Sequence, residues 1–193
     1  MPAGAPGGPF DSDTDDPEIT VRRARIADVG RIKALVDSYS GRVLLEKELV
    51  TLYEDVQEFW VADQRGSVVG CGALHVLWED LAEIRTVAVD RSVRRRGIGD
   101  KLIVRLIEQA RELGLPRIFV LTFETEFFSR HGFVPIEGTP VPPEVYEEMR
   151  RSRDPGVAEF LDLPFAKPNT LGNTRMLLEL PPDGLSPGPV PPR

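Results

Sequence analysis

Between Leu81 and Gly114 the chain changes periodicity in a way that restricts its fold to a few classes. An apolar run, Leu81 to Val89, reads as a strand. A basic glycine-containing turn, Arg94 to Gly99, follows and feeds a segment whose Leu102, Ile103, Leu106, Ile107 and Ala110 share one helical face, with Gly114 to stop it. A strand running through such a turn into an amphipathic helix belongs to an α/β architecture.

Neighbouring segments extend the pattern. Ile19 to Arg23 is a short strand, after which Asp28 caps a helix carrying Ile32, Leu35, Val36 and Tyr39 on one face and stopped by Gly41. A second amphipathic helix uses Leu45, Leu49, Leu52 and Val56. Strands are predicted at Phe59 to Ala62, with a turn at Asp63 to Gly66, and at Val68 to Val76, where Gly70 and Gly72 signal a bend or close packing. Arg117 to Thr122 is a strongly apolar strand, a short helix ends at His131 before Gly132, and a last strand covers Arg175 to Leu180. The order β, α, α, β, β, β, α, β, α, β predicts a mixed α/β sheet. Met1 to Pro17 and Pro181 to Arg193 are rich in Pro and Gly and read as disordered tails around one folded unit, Glu18 to Leu180.

Composition narrows the function. The 193 residues suit one core, and a formal net charge of −7 argues against nucleic acid or an anionic membrane as partner. An anionic ligand must therefore meet a local basic cluster. Cys71 is the single cysteine, so no internal disulfide can form; with no signal-peptide or membrane-spanning stretch, a cytoplasmic protein is expected.

That basic cluster is the turn itself. In Arg94-Arg95-Arg96-Gly97-Ile98-Gly99, glycine permits positive φ and close backbone approach, unpaired amides at the helix start point outward, and the helix dipole adds positive potential. Arg91 adds a fourth guanidinium. The same residues also suit an ordinary solvated turn. No Lys-Ser or Lys-Thr follows the glycines, which excludes a Walker loop, and the three-glycine dinucleotide fingerprint is absent.

The strand followed by Arg94-x-x-Gly97-x-Gly99 resembles the acetyl-CoA signature of the GNAT superfamily of acetyltransferases, and Phe127-Phe128-Ser129-Arg130-His131-Gly132-Phe133 resembles its following helix and terminal Gly-Phe. The resemblance implies a GNAT fold: a mixed, mostly antiparallel sheet with helices on both faces, whose central parallel pair, Leu81 to Val89 and Arg117 to Thr122, splays apart to hold acetyl-CoA as co-substrate. Cofactor contacts are then expected from Val87, Ala88 and Val89, from Arg94, Arg95, Arg96, Gly97, Ile98 and Gly99, and from Phe128. Backbone groups of Val87 and Val89 would bind pantetheine, and the amides of Arg95 to Gly99 the pyrophosphate.

A finer likeness is to the acetyltransferase domain of the N-acetylglutamate synthases, carried by Gly70-Cys71-Gly72-Ala73-Leu74, Glu83 to Val89, Phe119 to Thr122 and Gly172 to Leu177, while Val61 to Asp80 and Phe123-Glu124-Thr125-Glu126 are similar to their short, stand-alone form. It implies an amino-acid acceptor, L-glutamate, in the first step of arginine biosynthesis. Larger members add an amino-acid-kinase domain associated with arginine feedback, so feedback by that route is not expected here. Homodimers are a habit of the superfamily.

The resemblance implies Glu83 as general base for the acceptor amine; Glu83 and Arg85, two apart on a strand, leave the same face. A solvated carboxylate near a strand end is the plainer reading. Many members protonate the departing thiolate with a tyrosine where this chain has Phe128; the synthase likeness instead offers Thr122, equally readable as a strand-end hydroxyl bonded to backbone. For the acceptor's carboxylates Arg85 and Lys47 are the first candidates, with Arg175 and Lys167 behind them, each equally able to serve in a surface ion pair. No metal is expected, since His75 and His131 form no ligand motif. Cys71, Trp60 and Trp78 read as packing residues, and Pro142 to Arg150 as a helix in an acceptor lid or subunit contact. A peptide N-terminal or lysine acetyltransferase, and a non-catalytic acetyl-CoA sensor, are the competing readings.

Overall fold

The protein is described by a computed structural model covering residues 19–39, 47–166, 170 and 172–181. The two expected tails, Pro181 apart, and Gly41, Leu45 and Lys167 lie outside these residues. Seven strands form one sheet: β1 (Ile19–Arg23), β2 (Phe59–Gln64), β3 (Ser67–Trp78), β4 (Leu81–Val89), β5 (Arg117–Thr122), β6 (Val134–Pro135) and β7 (Thr174–Glu179). The helices are α1 (Val29–Asp37), α2 (Leu49–Glu54), α3 (Ile98–Glu112), α4 (Thr125–Ser129), α5 (Pro143–Met149) and α6 (Pro155–Phe160). The sheet order is β1-β2-β3-β4-β5-β7-β6.

Among the described residues only β4 and β5 pair in parallel, and they do so over three positions, Leu81 with Arg117, Ala82 with Ile118 and Glu83 with Phe119. Beyond Glu83 the ladder ends although β4 continues to Val89 and β5 to Thr122. The expected splayed pair is therefore present. A bulge adds to the divergence: Cys71 lies opposite Ala88 but Ala73 lies opposite Arg85, and Thr86 takes φ +59°. An extra residue shifts the alternation by one. Ala82 and Ile84 before it, and Val87 and Val89 after it, all face the core under α3.

That core holds Leu102, Ile103 and Leu106, all buried, with Ile118, Phe128 and Met176. Gly70 and Gly72 permit it, because a Cβ at either would lie 3.0 Å from Ile98 or Leu106. The close-packing reading of these glycines is the one that applies. The opposite face carries two separate clusters, one under α1 and α2 with Ile32, Leu52 and Phe59, the other under α5 and α6 with Phe119, Phe160 and Leu177. Glu83 and Arg85 share the alternation of Leu81 on this second face, so they come between the two apolar clusters.

Three local expectations change. Asp28 stands at the N-cap of α1 without a side-chain cap bond, because Ile26 to Asp28 is already a 3-10 turn and its carboxylate accepts from the Arg25 amide at 2.7 Å and from Arg22. The second helix begins at Leu49, which is exposed, and gives way to a 3-10 turn at Val56. The helix α6 has no counterpart in the expected order, although Asp154 before Pro155 is a recognisable start signal.

Candidate active site

The basic turn is exposed and shaped for an anion. Asp90 opens it by accepting from the Ser92 amide and hydroxyl at 2.9 and 2.7 Å, and Arg95 and Gly97 both take positive φ, +66° and +68°. Helix α3 starts at Ile98, and the Lys101 amide donates back to the Gly97 carbonyl at 3.0 Å. The amides before Lys101 therefore have no acceptor in the preceding turn of the helix. Ile98 and Ala88 turn their side chains into the core, which leaves only their backbone for a ligand. A Cβ at Gly99 would meet the Phe127 ring at 3.2 Å, so glycine lets α4 close against the start of α3.

Where β4 and β5 part, a cleft opens between Arg85 to Val87 on one side and Thr122 to Glu124 on the other, with Phe127 and Phe128 at one end. The Thr122 hydroxyl oxygen accepts from the Glu124 amide at 2.9 Å, which leaves its proton available to donate. The hydroxyl is thus bonded to backbone and still lines the cleft. Thr122 alternates with Ile118 and Val120, which face the α3 core, whereas Glu83 points to the other face.

Glu83 is 6% exposed, and its Oε2 has no hydrogen-bond partner among the described residues. Burial raises its pKa from 4.5 to about 7, against the opposing pull of Arg85 and His75 and with a further push from Asp154 and Glu159. The plainer reading, a solvated carboxylate, does not fit this burial. A carboxylate held near neutrality with a free lone pair is suited to take a proton from an ammonium.

Arg85 sits beside it in a cluster of acids. Its Nη1 donates to both oxygens of Asp154 at 2.9 and 3.1 Å, and its Nη2 to Glu58 at 3.2 Å, with Asp55 at 3.5 Å. Burial works against its charge, but Glu83, Asp154 and Glu58 outweigh it and raise its pKa. Lys47 lies 3.8 Å from Asp55, and burial, then Arg85, pull its pKa down. Arg175 stands apart from these two. Its Nε donates to Gly138 O at 2.9 Å, its Nη1 to Glu159 O at 3.2 Å and its Nη2 to Phe160 O, while its guanidinium covers the Phe119 ring. It anchors the end of α6, with its donors directed at main-chain carbonyls.

Several residues of this site were given no part in it from the sequence. His75 lies directly across from Glu83 in the β3–β4 ladder, with Nδ1 2.7 Å from Glu58 and 2.9 Å from Arg85. Glu58, Asp55 and Asp154 supply the acids, and Gly156 brings the α6 backbone so close that a Cβ would lie 2.9 Å from Arg85 Nη1 and 3.5 Å from Glu83 Oε2. Only the register of β3 on β4 could have placed His75 opposite Glu83. No group of three or more His, Cys, Asp or Glu able to hold a metal ion occurs among the described residues, nor any helix long and apolar enough to cross a membrane.

Comparison with known proteins agrees with this geometry. The model of the acetyltransferase (GNAT) family matches residues 32–133. An amino-acid acetyltransferase of Mycobacterium tuberculosis is 68% identical over 163 residues, covering 83% of this chain and 94% of the relative. That of Aeromonas salmonicida is 32% identical over 138 residues, and the match spans 31% of its length. Among solved structures, a Mycobacterium tuberculosis protein in complex with CoA and NLQ superposes with a TM-score of 0.83 at 66% identity, covering 83% of this chain and 99% of that one. An N-acetylglutamate synthase from Neisseria gonorrhoeae, complexed with coenzyme A and N-acetyl-glutamate, shares the fold with a TM-score of 0.67 at 23% identity, covering 84% of this chain and 35% of that one. With its parallel strands parted above Glu83 and its glycine turn bared at the start of α3, the chain belongs to the GNAT family of acetyltransferases.

Proposed function

We propose that the protein transfers acetyl from acetyl-CoA to the α-amine of an amino acid, L-glutamate, by direct attack, as a cytoplasmic enzyme of arginine biosynthesis. The observation that carries this reading is the buried, unpartnered Oε2 of Glu83 beside the point where β4 and β5 separate. The relatives named as amino-acid acetyltransferases support the acceptor class.

In this reading the turn amides and guanidiniums bind the phosphates, and the pantetheine arm lies in the cleft along Val87. Val89 carries less of it, since its carbonyl already accepts from the Tyr39 hydroxyl at 2.6 Å. Glu83 takes a proton from the acceptor ammonium, and the freed amine adds to the thioester carbonyl. The tetrahedral intermediate gives up the second amine proton to water as its C–S bond breaks, leaving the N-acetyl amino acid and a thiolate. Glu83 and Thr122, on opposite faces of the sheet, suit opposite ends of this reaction: Glu83 meets the incoming amine, and Thr122 donates a hydrogen bond to the departing sulfur, whose proton arrives through water. Lys47 and Arg85 orient the acceptor's carboxylates, and a carboxylate reaching Arg85 has to compete with Asp154.

The test is thiol release from acetyl-CoA by the purified chain with L-glutamate, L-glutamine, L-ornithine and peptides, the products identified by mass spectrometry. Acetylation of free glutamate is expected. Turnover with peptides alone would establish the second reading, which the acids Asp55, Glu58 and Asp154 around Arg85 favour because they attract a cationic acceptor. Binding of acetyl-CoA without turnover on any acceptor would leave a sensor.

A further inference from the structure

Tyr39 entered the sequence as one apolar position on a helix face, and the reaction assigns it nothing. In the folded chain it stands just beyond α1 and joins three elements. Its hydroxyl donates to the Val89 carbonyl at the end of β4, at 2.6 Å, and accepts from Arg94 Nη2, at 3.0 Å. Its ring lies under two guanidiniums, Arg91 at 5.3 Å and Arg94 at 5.5 Å from the centroid. Arg91 is further held by the Ser38 carbonyl, which accepts from its Nη2 at 3.0 Å.

Two exposed cations gathered on one ring repel each other, and among the described residues neither meets a carboxylate. The nearest acid in sequence, Asp90, is engaged by Arg31 and Ser92. The quadrupole of the ring offsets part of the repulsion. An anion that meets both guanidiniums relieves the rest, and phosphate oxygens suit guanidinium donors. Both arginines belong to the segment that enters the glycine turn.

We propose that Tyr39 is a positioning residue for coenzyme binding: it holds Arg91 and Arg94 as a preformed guanidinium pair that takes a phosphate of acetyl-CoA. The proposal rests on the reading of the Gly97 turn as the coenzyme's phosphate site. Preorganisation of this kind strengthens binding by removing the cost of ordering long side chains. It acts equally on the ground and transition states, so it changes the KM for acetyl-CoA and leaves kcat alone.

The experiment is calorimetry of coenzyme A with the full chain, together with steady-state kinetics, for wild type, Tyr39→Phe, Tyr39→Leu, Arg94→Ala and the Tyr39→Phe/Arg94→Ala double variant. Tyr39→Phe keeps the ring and loses the hydroxyl; about threefold weaker coenzyme binding is expected, and about tenfold or more for Tyr39→Leu, with kcat within about twofold of wild type and the KM for amino acid unchanged. In the Arg94→Ala background the Phe substitution is expected to cost less than in wild type, because Tyr39 acts through that arginine. Repeating the titration with 3′-dephospho-coenzyme A identifies the phosphate. Loss of the Tyr39→Leu effect on this ligand assigns the pair to the 3′-phosphate, and an unchanged effect assigns it to the diphosphate. Wild-type affinity in both Tyr39 variants, an equal cost of the Phe substitution in both backgrounds, or a fall in kcat at constant KM would overturn the proposal. Failure of the wild-type chain itself to bind coenzyme A would instead remove the phosphate-site reading beneath it. Tyr39→Phe keeps the test decisive if the Leu variant folds poorly.

Discussion

Arg85 on β4 and Asp154 at the start of α6 are 69 residues apart in sequence, and their side chains meet through one guanidinium nitrogen that donates to both carboxylate oxygens, at 2.9 and 3.1 Å. The same carboxylate caps α6 by accepting from the Val157 amide at 3.1 Å. One residue thus fixes the helix beside Glu83, the proposed base, and occupies the cation proposed for the acceptor.

Asp154→Asn keeps a capping side chain and removes the competing charge. The KM for glutamate is expected to fall several-fold. Because Asp154 helps raise the pKa of Glu83, the acid limb of the kcat/KM profile should also move to lower pH. A raised KM with an unmoved limb would show Asp154 to be structural only.

Glu83→Gln should lower kcat by about 10²-fold or more while sparing coenzyme binding, the scale of general-base catalysis. The wild-type acid limb is expected at about pH 7, where Glu83 loses its proton. Steady-state profiles from pH 5 to 9 read both.

The same residue makes a stability prediction of definite sign. Its folded pKa, about 7, lies above the free value of 4.5. Between those values the folded chain holds a proton that the unfolded chain has lost, so stability falls as pH rises through the window and the penalty is complete above it. Glu83→Gln abolishes the penalty. Urea midpoints should show the variant gaining on wild type between pH 4 and pH 8, by roughly 3 kcal/mol at most.

At Gly156 the expected defect is steric. Gly156→Ala places a Cβ 2.9 Å from both Arg85 Nη1 and Asp154 Oδ1, so the ion pair must shift. A loss of about 1–3 kcal/mol in thermal or urea unfolding is expected, with a raised KM for amino acid and an unchanged KM for acetyl-CoA. Equal effects on both KM values would contradict the placement of α6 over the acceptor side alone.

Thr122→Val removes the hydroxyl and leaves the Glu124 amide without its acceptor. About tenfold lower kcat is expected, restored largely by Thr122→Ser, since the serine hydroxyl can make the same two bonds. Full activity in the Val variant would leave Thr122 as a turn residue.

Much of the architecture was legible in the chain because its determinants are local. The bounds of β4 and β5, Leu81–Val89 and Arg117–Thr122, follow from apolar runs between turn signals, and the helix of Leu102 to Ala110 from its period. The basic turn was legible for the same reason, since glycine, arginine and a helix start fall within six residues, but its reading as a phosphate site came from the resemblance to a family and not from those residues alone. Glu83 and Arg85 could be placed on one face by strand alternation alone.

Other features required the tertiary structure. The bulge at Thr86 resets which residues face α3, and a one-residue change of register reverses every side chain beyond it. That register sets His75 opposite Glu83, and the docking of α6 brings Asp154 and Gly156 to Arg85. The raised pKa of Glu83 and the gathering of Arg91 and Arg94 on Tyr39 have the same origin. Periodicity and turn chemistry act within a few residues of chain, whereas burial and charge pairing depend on what distant segments bring to the same few ångströms.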